Sequence, residues 1–177
     1  MTRSLQGMAE PPPDRTPAGG STAGRADAPA QGPPCPFPDD TAIERIATGL
    51  ITRTLPRVEW THAAHWAAAF WITRAWGREA ASMELPGLIR RYNEATGTPN
   101  SDSSGYHETI TVASLRAVDA ALAAAPTSEP LHRVCALLLA SELGTSDWVL
   151  RHWTRERLFS VEARRFWVEP DLQPLPF

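Results

Sequence analysis

Three side chains able to do acid–base or metal chemistry recur at intervals of three along Glu59-Trp60-Thr61-His62-Ala63-Ala64-His65. On a helix turning by ~100° and rising by ~1.5 Å per residue, neighbours in such a series share a face and can converge on one ion, while the outer two diverge. The residues that follow are Ala, Trp and Phe. In such surroundings an ionisable group must be paired, hydrogen-bonded or metal-bound.

A second polar set, Tyr106-His107-Glu108-Thr109, opens another helical pattern. Steps from His107 through Thr111, Leu115, Val118 and Leu122 point its ring at the core. A helix N-terminus there would offer unpaired amides and partial positive charge to an anionic group. If the two helices meet, His62, His65 and His107 form a three-histidine metal set. Glu108 or Glu59 would complete the sphere or move a proton, and Tyr106 would orient substrate or act as a weak acid. Three histidines with an open position suit zinc, and two with a carboxylate suit non-haem iron, so a transition metal ion, zinc or iron, is the expected cofactor. A single Glu-x-x-His does not build a di-iron centre. The same residues also fit a quieter role: histidines bonded to backbone carbonyls or to Thr61 and Thr109, and first-turn acids favoured by the helix dipole. Two functions therefore compete, a metalloenzyme acting on a small molecule and a non-catalytic helical interaction or accessory module. Neither Cys35 nor any Ser has an activating neighbour, so nucleophilic catalysis is not indicated.

The elements that must position these groups read as helices throughout. Asp39 or Asp40 caps a helix over Thr41–Leu55, stopped by Pro56. Glu59–Trp76 is the second, broadly apolar and therefore central, and Gly77 breaks it. Glu84–Thr96 is the third, with Pro86 near its start, Gly97 as its cap and Pro99 beyond. Turn-formers fill residues 98–105, and Tyr106–Ala124 is the fourth. Thr127 or Ser128 opens a fifth, closed by Gly144. Short pieces follow near Asp147–His152 and after Ser160, before a Pro-containing tail that cannot be helical. No window alternates with period two, so the chain is expected to be all-α, a compact bundle of four to five helices spanning residues 40–177. Residues 1–39 hold nine of the 17 prolines and five of the 11 glycines and read as a disordered arm.

Composition narrows the partners. The 177 residues carry 17 basic side chains, all Arg, and no Lys, which removes Schiff-base chemistry, covalent pyridoxal phosphate and a P-loop. A formal charge of −3 leaves no positive field for nucleic acid. No apolar run approaches the length of a membrane span, and the early prolines interrupt any secretory signal, so a cytoplasmic setting is expected. Cys135, in an apolar stretch, reads as core and Cys35 as part of the arm, with no disulfide between them. His132 and His152, standing alone, read as solvated surface groups, and the Arg-rich end, with interspersed acids, as a salt-bridged strap. The tryptophans Trp60, Trp66, Trp71 and Trp76 read as core together with a surface that could close a homodimer.

Trp60-Thr61-His62-Ala63-Ala64-His65, the stretch from Arg90 to Asn100, Gly105-Tyr106-His107-Glu108-Thr109-Ile110-Thr111 and the tail Val168-Glu169-Pro170-Asp171-Leu172-Gln173-Pro174-Leu175-Pro176 resemble a group of small helical bacterial proteins that share HxxH and GYHETIT motifs and a VEPDLxPLP tail. The resemblance spans about 120 residues in order. It implies that His62, His65, Tyr106, His107, Glu108 and Thr109 travel together, and supplies no reaction.

Overall fold

The computed structural model describes residues 36–177, and Cys35 and most of the expected arm lie outside them. The described residues are all-helical, with no strand: α1 is Asp40–Thr52, α2 His62–Trp76, α3 Arg78–Ala95, α4 Glu108–Ala124, α5 Leu131–Leu139, α6 Arg155–Leu158 and α7 Val161–Arg165. Single 3-10 turns cover Arg57–Glu59, Glu142–Gly144 and Trp148–Arg151. The all-α expectation holds for the described residues, which form seven helices, two of them short, rather than the expected four to five. Phe37, which the sequence reading assigns to the arm, is only 8 % exposed and joins the core.

Helix α2 packs against α1, α3, α4 and α5, as its broad apolar coverage requires. Ala64, Ala67, Ala68 and Ala69 are buried along it, and small side chains allow neighbouring helices to approach closely, while Trp66, Phe70 and Ile72 fill the remaining space. Among its tryptophans only Trp76 is exposed, so the Trp-rich face is mainly core. Gly77, at φ +87°, ends α2 and starts α3 in one residue: its N–H donates to the Thr73 carbonyl and its own carbonyl accepts from Ala81.

Helix boundaries differ from the sequence reading where capping overrides apolar spacing. Helix α2 begins at His62 rather than Glu59, because the Thr61 hydroxyl accepts the Ala64 N–H and leaves Glu59 in the preceding 3-10 turn. Helix α3 runs straight through Pro86. A proline frees the carbonyl four residues earlier, here that of Ser82, which is exposed and can be hydrated.

Helix α5 has no local side-chain cap at all. The Asp40 carboxylate, 91 residues before Leu131, accepts the N–H groups of Leu131 (3.0 Å) and His132 (2.7 Å) and the His132 ring Nδ1–H (2.7 Å). Partial burial works against ionisation of Asp40, but these hydrogen bonds outweigh it and hold the carboxyl below its ordinary value. His132 is accordingly paired rather than simply solvated. Replacement Asp40→Ala should cost about 1–2 kcal/mol, the usual scale for a lost cap, read as a lower urea midpoint. The Asp40 contribution is present above the ordinary carboxyl range and is lost as pH falls through its depressed value.

The tail is strapped down by backbone and side-chain hydrogen bonds. Trp153 Nε1 donates to the Val168 carbonyl (3.1 Å), Leu172 N–H donates to that of His152 (3.0 Å), and Asp171 accepts from the amide and hydroxyl of Thr154 (2.8 and 2.7 Å). His152 is buried, with Nδ1 facing the carbonyls of Gln173 and Pro174 at 3.1 Å each. Expected at the surface, it is instead a fastener for the tail, since only the folded chain shows that the prolines return over it. Arg165 pairs with Asp102 and Arg151 with Glu142, consistent with a strap.

Candidate functional site

Capping by Thr61 puts His62 and His65 in the first turn of α2. The Trp60 ring, just before the cap, lies against His65 with centroids 4.0 Å apart and against Tyr92 at 5.2 Å. Tyr92 is itself anchored by donation to the Leu55 carbonyl at 3.1 Å. Two adjoining cavities meet at this point. One, of about 320 Å³, is mainly apolar and is walled by Trp66, Leu85, Trp148 and Val149, with His62, Ser114 and Ser146 as polar members. The other, of about 410 Å³, is more polar and includes Arg57, Asn93, Thr96, Thr98 and Tyr106. Trp60, His65, Ile89, Ile110 and Thr111 line both.

The three histidines differ in what their ring nitrogens have left to offer. At His65, Nδ1 lies 2.7 Å from the Thr61 carbonyl, which can only accept, so Nδ1 carries the proton and Nε2 holds a lone pair. His65 is exposed to solvent at the open side of the two cavities, while the protein atoms packed around its ring replace part of the hydration an imidazolium needs. That enclosure lowers its pKa to about 4 against the upward effect of the Thr61 bond, with the nearby His62 adding a smaller downward push. At neutral pH His65 is an uncharged acceptor.

His62 accepts the Trp66 indole N–H at Nε2 (3.0 Å), which uses its lone pair. Burial lowers its pKa, and a hydrogen bond with the Leu143 backbone opposes that. His107 is the N-cap of α4: Nδ1 accepts the Ile110 N–H (3.4 Å) and Nε2 donates to the Leu158 carbonyl (2.8 Å). Burial, opposed by the Leu158 bond and aided by the positive charge of Arg164, lowers its pKa to about 4. A metal takes a lone pair from a neutral imidazole. Of the three proposed ligands only His65 has one uncommitted, and no group of three His, Cys, Asp or Glu side chains among the described residues is placed to hold an ion. This arrangement of donors does not fit a zinc or iron centre.

The carboxylates and the phenol are also engaged elsewhere. Glu59 pairs with Arg45. Tyr106 donates to Glu108 (2.9 Å), and the Arg90 guanidinium lies 3.9 Å from the Tyr106 ring centroid and 3.6 Å from Glu108. Burial first, then the Glu108 charge, push the Tyr106 phenol above its ordinary value, away from any acid role near neutral pH. Thr109 donates to the Phe166 carbonyl (2.8 Å) and accepts the Val168 N–H (3.2 Å). The residues of the GYHET segment thus cap α4 and hold the C-terminal strap.

Sequence reading did not single out Arg57, Thr111, Ser114, Ser146 or Trp148 as lining residues. Trp148 carries the one available signal, an aromatic within a short helical piece between polar turns. No family model, curated protein or solved structure matches this chain.

Proposed function

We propose that this protein binds a small, largely apolar molecule in the paired cavities, with His65 Nε2 accepting a hydrogen bond from it. The observation that carries this reading is a single open imidazole lone pair at the wall of an aromatic-lined cleft, its tautomer set by Thr61. Concave, mainly apolar sites with a few oriented polar groups are the usual form of small-molecule pockets. In this reading α2, α3 and α4, with the turn that carries Trp148, frame the cleft, and the strapped tail keeps α4 in register with it.

Recognition fits His65 better than catalysis. A general base works best with a pKa near the working pH, and the protein atoms around His65 hold its imidazole below the ordinary value. No step is assigned to a metal, because the lone pairs of His62 and His107 already accept hydrogen bonds from Trp66 and Ile110.

Naphthol tests the proposal, since it joins an apolar body to one hydroxyl donor. Calorimetric titration should detect binding to the wild type and about tenfold weaker binding to His65→Phe, the scale of one lost hydrogen bond in a desolvated site. Equal affinities for the two proteins would remove His65 from the site.

A further inference from the structure

The two cavities that share His65 have opposite characters, and their charges are one-sided. No Asp or Glu lines either cavity, and the histidines among the lining residues are held towards their neutral forms. Arg57 is the one side chain with a permanent charge on these walls. It sits in the 3-10 turn just ahead of Trp60, its side chain is exposed, and its guanidinium makes no hydrogen bond or ion pair with another described residue. The nearest acid in sequence, Glu59, is taken by Arg45, so it does not neutralise Arg57 through a direct pair. Thr98, on the same polar wall, has a hydroxyl with no hydrogen-bond partner among the described residues, whereas the Thr96 hydroxyl is committed to the carbonyls of Tyr92 and Asn93.

We infer that the ligand of this cleft is an amphipathic monocarboxylate bearing a hydroxyl group: its apolar body enters the chamber of Trp66, Trp148 and Leu85, its hydroxyl donates to His65 Nε2, and its carboxylate meets Arg57 in the polar chamber. This rests on the reading of the cleft as a small-molecule site and adds the chemical class. A planar guanidinium binds a carboxylate through two parallel hydrogen bonds, and one unpaired arginine matches one negative charge. A phosphate dianion would call for a second cationic group, and Arg57 is the only one among the lining residues. The apolar chamber has in turn no charged group with which to satisfy a second anionic end.

The test compares hydroxynaphthoate with its uncharged amide, hydroxynaphthamide, by calorimetric titration of the full chain. The wild type should bind the carboxylate about tenfold more tightly than the amide, a difference that shrinks with added salt. Arg57→Gln should weaken carboxylate binding about tenfold more than amide binding and so abolish that preference; because Arg57 is exposed, the variant is expected to fold, which circular dichroism verifies. Equal affinity for the two ligands in the wild type, or a preference that survives in Arg57→Gln, overturns the assignment of a carboxylate. If His65→Phe still weakens both ligands in that case, the cleft and its acceptor stand and only the anion is lost. Binding of neither ligand overturns the carboxylate class and the cleft reading together.

Discussion

Replacing His107 with Ala should destabilise the fold by roughly 2–4 kcal/mol, because one change removes the α4 cap and strips a buried carbonyl of its donor. The ring is 8 % exposed and joins two segments 51 residues apart, Nδ1 serving the Ile110 amide and Nε2 the Leu158 carbonyl. His107→Asn should fall between, since Asn caps a helix well but is too short to reproduce the Leu158 bond. Urea unfolding of the three proteins measures the series. A loss below about 0.5 kcal/mol in His107→Ala, the range of ordinary surface changes, would refute the structural role.

The same ring predicts a pH dependence with a definite sign. Its folded pKa of about 4 lies below the ordinary value of 6.5, so the unfolded chain binds the proton more readily. The contribution of neutral His107 is complete above pH 6.5 and is lost as pH falls towards 4, by an amount on the order of 3 kcal/mol. His65 acts in the same direction. The acid sensitivity should therefore shrink in His107→Asn and shrink further when His65→Phe is added. An unchanged slope of stability against pH in His107→Asn would show that the imidazole is not held neutral in the fold.

Thr109→Val should produce the second large effect, about 2–3 kcal/mol, although it alters the shape of the side chain very little. Thr109 is fully buried, and its hydroxyl both donates to the Phe166 carbonyl and accepts the Val168 amide. Valine leaves both groups without that partner, and the Val168 amide lies where water has poor access. The consequence should be directional: amides of the strap, Val168 and Leu172 among them, should lose hydrogen-exchange protection ahead of those in α2. Uniform loss of protection, with the strap no faster than the helices, would contradict the role given to Thr109.

Local physics made much of the helical frame readable. Gly77 between α2 and α3, Ser160 ahead of α7 and the broad apolar coverage of α2 are all expressed within a few residues, because helix spacing and capping act over one turn. The clustering of polar chemistry around His62 and His65 was legible for the same reason. Glu59 was misplaced onto α2 because apolar periodicity runs past a cap that only hydrogen bonding fixes.

Helix spacing and capping therefore carry the all-helical class and the central place of α2. Which lone pairs remain open is set by packing. The partners of His107, Thr109, His152 and α5 come from segments brought alongside by packing: Leu158, Phe166 and Val168, the tail carbonyls, and Asp40, respectively. A hydrogen bond depends on distance and angle between atoms, and for residues far apart in the chain the folded core sets both.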